Sequence, residues 1–88
     1  MKQAKRIQVT GKLHGTGYRF AAMQKAYDLG ISGTVAYHGH AILIEAEGDE
    51  AALEKFVQWG RKGPYGCRVD SLMVEDGELK NFTGFEKL

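Results

Sequence analysis

Lys12-Leu13-His14-Gly15-Thr16-Gly17-Tyr18-Arg19-Phe20 is the stretch on which the reading of this chain turns. Before it, Ile7, Val9, Gly11 and Leu13 alternate with Arg6, Gln8, Thr10 and Lys12, the two-residue period of a half-buried strand. After it, Phe20, Met23, Ala26 and Tyr27 recur at helical spacing between Tyr18 and Leu29, and Gly30 marks the stop. Gly15 and Gly17 let the backbone between them take conformations closed to other residues. A glycine turn feeding a helix leaves several N–H groups unpaired and pointing outward. With the positive end of the helix dipole behind them, they favour an anion. Arg19 in the first turn is mildly unfavourable by itself, since cations suit the C-terminal end of a helix; a bound phosphate reverses that sign. The same features are also those of an ordinary turn with a solvated arginine. The pattern is neither a Walker loop, which ends in Gly-Lys-Ser/Thr, nor a dinucleotide fingerprint, which needs a third glycine and a later acidic residue.

Outward from that stretch, Gly33-Thr34-Val35-Ala36-Tyr37 reads as a second strand and His40 to Glu47 as a third. The short His38-Gly39 turn between them makes a hairpin. Ile42, Ile44 and Ala46 share one face of the third strand, and Ala41, Leu43 and Glu45 the other. Gly48-Asp49 opens a second helix, with Asp49 as its cap and Glu50 in its first turn. Leu53, Phe56 and Val57 form its buried face and Trp59 its edge. It stops within Gly60 to Gly63, ahead of Pro64. Cys67, Val69, Leu72 and Val74 form a strand whose alternation slips by one in the middle, the mark of a bulge. Asp76-Gly77 is a turn, and Phe82 to Leu88 a short closing edge strand. The order βαββαβ plus a short C-terminal strand is an α+β, ferredoxin-like α/β sandwich, an antiparallel sheet with both helices on one face. Many unrelated activities share that plan, so function has to be read from a site.

The 88 residues form one domain, 1–88, without repeats or linkers. A 43% hydrophobic content suits a folded globule. Twelve basic and eleven acidic residues leave a net charge of +1, which argues against nucleic acid or an anionic membrane surface as partner. The single cysteine, Cys67, excludes an internal disulfide and suits a cytoplasmic protein. No signal-length apolar run follows the N-terminus, and nothing approaches the roughly 20 apolar residues of a membrane span.

Val9-Thr10-Gly11-Lys12-Leu13-His14-Gly15-Thr16-Gly17-Tyr18-Arg19 resembles the acylphosphatase signature, usually V-x-G-x-V-Q-G-V-G-F-R. Leu29-Gly30-Ile31-Ser32-Gly33-Thr34-Val35 resembles the L-G-L-x-G-W/T-V element of the same family. Glu47-Gly48, Phe56 with Trp59, Gly63-Pro64 and Phe82 with Phe85 fall in the family's order and spacing. The resemblance implies hydrolysis of the carboxyl–phosphate bond of acyl phosphates with neither metal nor cofactor. It implies that the glycine loop and its arginine hold the phosphoryl group, here His14, Gly15, Thr16, Gly17, Tyr18 and Arg19. It also implies a water-orienting asparagine at the end of the second strand. Counted from Gly33, that position is Tyr37, and the hairpin turn is one residue short of the family's. Asn81 is the only asparagine in the chain. An asparagine offers a donor and an acceptor in fixed geometry, whereas a tyrosine hydroxyl sits farther out on a bulky ring. The resemblance therefore implies an intact phosphate cradle with Tyr37 as a doubtful catalytic partner of Arg19, and hydrolysis impaired.

The remaining residues have ordinary readings. Tyr18 packs at the base of the loop and presents its N–H rather than its ring. Cys67 is a small buried strand residue, not a nucleophile. Phe56, Trp59 and Tyr65 are core and rim. His14, His38 and His40 lack metal-ligand spacing with cysteines, so no metal is expected; His38 and His40 are the alternative water-binding groups, and histidines in a hairpin turn are commonly solvated. The expected partner is a small acyl phosphate or inorganic phosphate, bound to a monomer. A non-catalytic phosphate-binding homologue is the alternative. An RNA-binding domain of the same plan is disfavoured, because Ala41-Ile42-Leu43-Ile44 lacks exposed stacking aromatics.

Overall fold

The computed structural model describes residues 1–88 throughout. The elements are β1 (Lys2–Lys12), α1 (Tyr18–Leu29), β2 (Ser32–His38), β3 (Ala41–Asp49), α2 (Glu50–Lys62), β4 (Arg68–Asp76) and β5 (Phe85–Lys87). They form a five-stranded sheet in the order β4-β1-β3-β2-β5. Residues paired across strands share a face. Ile7 stands opposite Ile44, Val9 opposite Ile42 and Val35 opposite Ile44, and all five are buried. Leu53 and Phe56 from α2 and Ala22 and Ala26 from α1 close over that face in one core. Burying each large aliphatic or aromatic side chain there contributes roughly 1.5–3 kcal/mol relative to leaving it exposed.

The slip expected in the closing half of the chain falls at Asp70. Thr10 pairs with Ser71 and Gly11 with Val69, so Asp70 is the extra residue of a β4 bulge. The bulge draws the strands close: a Cβ at Gly11 would lie 2.0 Å from the Arg68 carbonyl oxygen. Only glycine fits there.

The fold departs from the expectation at several places. α1 does not bury Phe20 and Tyr27, which are 60% and 80% exposed. Its inner face is Tyr18, Ala22 and Ala26, four residues apart, because α1 lies beside α2 over β2 and β5 and small side chains let it approach the sheet closely. Asp49 makes no side-chain capping bond; it is the last residue of β3, paired with Lys2. Cys67 precedes β4 instead of lying in it, and is half-buried. Its Sγ approaches the Lys62 carbonyl at 3.5 Å, and burial pushes the thiol up, away from the thiolate form that makes a cysteine reactive. Tyr65 is fully exposed.

The closing strand is shorter than 82–88, and it is the one strand that breaks the antiparallel pattern. β5 runs parallel to β2, with Gly33 opposite Phe85 and Val35 opposite Lys87. The reason is the route. β4 finishes at the end of the sheet where β2 begins. The chain crosses that end and so enters beside β2 in the same direction. The crossing is held by Glu47, which is 1% exposed and accepts the backbone N–H groups of Lys80, Asn81 and Phe82. Lys2 Nζ lies 3.5 Å from the same carboxylate. Burial would raise the Glu47 carboxyl; the three N–H donors and Lys2 outweigh it and hold it below the usual carboxylate range.

Candidate active site

β1, β2 and β5 all point their C-terminal ends at the end of the sheet where α1 begins. The glycine turn lies there. Gly15 has φ 75°, and Gly17, the N-cap of α1, has φ 76° and ψ 18°. Both are left-handed, and a Cβ at either would meet no neighbour. The requirement for glycine is therefore conformational and not one of space.

Thr16 is folded inward between them: its N–H donates to the Leu13 carbonyl at 3.3 Å and its hydroxyl to the same oxygen at 2.5 Å. The first bond of the helix runs from the Ala21 N–H to Gly17. The N–H groups of Gly15, Gly17, Tyr18, Arg19 and Phe20 make no hydrogen bond to protein. The first turn of α1 carries no acidic residue to offset its positive end.

Tyr18 fixes this turn against the rest of the fold. Its ring is buried and 5.4 Å from Trp59, and its hydroxyl donates to the Gly60 carbonyl at 2.8 Å. A Cβ at Gly63 would lie 2.9 Å from the Tyr18 ring, so the end of α2 can approach this closely only with glycine there. Burial pushes the Tyr18 hydroxyl well up, and it remains a neutral donor.

Arg19 is held from two directions. Nη1 donates to the Leu88 main-chain oxygen at 2.7 Å, and the guanidinium carbon lies 4.0 Å from the centroid of the Tyr37 ring. Tyr37 in turn stacks on His14, with centroids 4.0 Å apart and planes within 6°; His40 meets His14 edge-on at 6.4 Å. One of five guanidinium N–H donors is used on Leu88, which leaves the others for a ligand. The structure thus brings together His14, Gly15, Gly17, Arg19 and Tyr37. It keeps the Tyr18 ring and the Thr16 N–H out of the same space, the latter against expectation.

A depression of about 380 Å³ lies over the turn, lined by Gly15, Gly17, Arg19, Phe20, Tyr37 and Lys87. None of the lining side chains is acidic, and two are cationic. The sequence reading did not single out Lys87, or the Leu88 oxygen that holds Arg19. Both arrive through the parallel pairing of β5 with β2, for which no local pattern exists. The arrangement can receive a tetrahedral anion on main-chain N–H groups and a guanidinium, beside an aromatic wall.

A family model described as acylphosphatase matches residues 5–87. The acylphosphatase of Thermus thermophilus is 37% identical over 78 residues, spanning 88% of this chain and 89% of that protein. That of Acaryochloris marina is 32% identical over 81 residues, spanning 91% of this chain and 87% of its own. The crystal structure of acylphosphatase from Bacillus subtilis superposes with a TM-score of 0.94 at 28% identity, covering 100% of this chain and 99% of that one.

Proposed function

The chain belongs to the acylphosphatase family, and from that premise we propose that it hydrolyses the carboxyl–phosphate bond of acyl phosphates with turnover held low at the water-positioning half of the site. The phosphoryl oxygens sit against the free N–H groups of Gly15, Gly17, Tyr18 and Arg19, with the Arg19 guanidinium neutralising their charge. Water attacks phosphorus in line with the bridging oxygen. The phosphorus–oxygen bond to the acyl group breaks, the carboxylate leaves with the electron pair, and the proton of the attacking water passes to a phosphoryl oxygen. A carboxylate is a good leaving group and needs no acid, so positioning and charge stabilisation carry most of the acceleration.

The observation that carries the lowered turnover is the placement of Tyr37. Its ring lies flat against His14 and within 4.0 Å of the guanidinium. The position that resembles the family's asparagine therefore offers an aromatic face instead of an amide. A phosphate-binding homologue without turnover is the second reading, and the same stack favours it. The experiment is hydrolysis of benzoyl phosphate by the wild type and by Tyr37→Asn, with inorganic phosphate as competitor. We expect phosphate to compete in both proteins and kcat to rise at least tenfold in the variant, within the range attributed to one well-placed polar group. Wild-type kcat unchanged or lowered by the substitution overturns the impairment. Benzoyl phosphate left intact by both proteins, with phosphate still bound, selects the binding module.

A further inference from the structure

Two side chains at which the site departs from the family's signature meet each other. His14 stands where glutamine is usual and Tyr37 where asparagine is usual, and their rings stack with centroids 4.0 Å apart and planes within 6°. The Arg19 guanidinium carbon is also 4.0 Å from the Tyr37 centroid. One face of a phenol ring has no room for a parallel imidazole and a guanidinium at that distance, so the two occupy opposite faces. Tyr37 is the middle layer of a three-layer stack. Each layer comes from a different part of the chain: His14 from the turn after β1, Tyr37 from β2 and Arg19 from α1. His14 is exposed and does not line the hollow over the turn, whereas Tyr37 and Arg19 do. The ring stands between the imidazole and the seat of the phosphoryl group.

We propose that His14 is a positioning residue of this site: it backs the Tyr37 ring, and the ring so fixed holds Arg19 over the turn. The proposal rests on the phosphate-cradle reading above and adds to it a residue that touches no ligand. The Tyr37 hydroxyl makes no hydrogen bond within the chain, so the plane of the ring is set by what lies on its two faces. His40, from the hairpin turn, meets His14 edge-on at 6.4 Å. Parallel, offset rings attract, and a cation is attracted to an aromatic face. Holding an arginine in its bound position before the ligand arrives lowers the ordering cost of binding. An exposed histidine without that role is a solvated turn residue, and its removal would leave phosphate affinity where it was.

The test is titration with inorganic phosphate, followed by NMR, of the wild type, His14→Ala, His14→Phe, Tyr37→Leu and the double variant that joins His14→Ala to Tyr37→Leu. His14→Ala is expected to bind phosphate about two- to threefold more weakly, the low end for one aromatic pair. His14→Phe, which keeps a flat ring on Tyr37, should match the wild type. In the Tyr37→Leu background, His14→Ala should weaken binding no further, because residues that act through each other are not additive. The Tyr37 ring protons report the stack directly. They lie over the imidazole, so they should sit upfield in the wild type and in His14→Phe and move downfield in His14→Ala. Wild-type affinity in His14→Ala, an equal loss in His14→Ala and His14→Phe, or the same loss with and without the Tyr37 ring overturns the inference and leaves the phosphate cradle standing. No phosphate binding by the folded wild type overturns the cradle and this inference together.

Discussion

Tyr37 decides most at the residue scale, because it supports Arg19 from the position that resembles the family's asparagine. Its ring offers the Arg19 guanidinium a face at 4.0 Å, and the His14 imidazole lies parallel to that ring. A cation over an aromatic face at an exposed site is stabilised by about 0.5–1 kcal/mol. Tyr37→Phe is therefore expected to bind inorganic phosphate within twofold of the wild type, and Tyr37→Leu about two- to fivefold more weakly, both by calorimetry. Equal affinities in the leucine variant would show that the ring does not hold the guanidinium. The same argument gives Tyr37→Asn a divided phenotype: a rise in kcat from the new amide and a rise in KM from the lost platform.

At the scale of elements, what could be read from the sequence was local. The alternation of β1, the Gly39 hairpin and the Leu53–Phe56 face of α2 each lie within a dozen residues. So do the turn and its arginine, which is why half of the candidate site was visible beforehand. In α1 the apolar residues that recur at helical spacing include Ala26, which is buried, but also Phe20 and Tyr27, which are exposed. Phe20, Met23 and Tyr27 outweigh Ala22 and Ala26 in any count of apolar bulk, yet bulk is what a helix lying close over β2 and β5 beside α2 excludes. The direction of β5 had no local sign at all. It follows from a crossing held by Glu47, which as a strand residue reads like any other polar position. The Arg19–Leu88 contact and the Lys87 position follow from β5, and the His14–Tyr37 stack from the convergence of β1 and β2. That half of the site is a product of topology.

The whole molecule ties its stability to its site through that crossing. Glu47 holds residues 80–82, and beyond them β5 carries Leu88 to Arg19. The carboxyl is depressed in the fold despite burial. Its contribution is therefore complete above the unfolded carboxyl value of about 4.3, and it is lost as pH falls through the lower folded value. Glu47→Gln is expected to lose about 1–3 kcal/mol at pH 7, the range for a buried charged acceptor of several N–H donors. Urea unfolding at pH 7 and pH 3 should show the variant losing less on acidification than the wild type. An equal loss in both would remove Glu47 from the account of acid stability. Loosening the crossing should also weaken phosphate binding, because the Leu88 anchor of Arg19 moves with it.

The central claim is that main-chain N–H groups at the mouth of α1, with Arg19, form a seat for a phosphoryl group. Amide-resolved NMR titration of the wild type with inorganic phosphate addresses it most directly. Saturable shifts are expected at Gly15, Gly17, Tyr18, Arg19 and Phe20, with Thr16, already bonded to Leu13, moving least. Amides of that turn that stay still at millimolar phosphate while the protein is folded would contradict it.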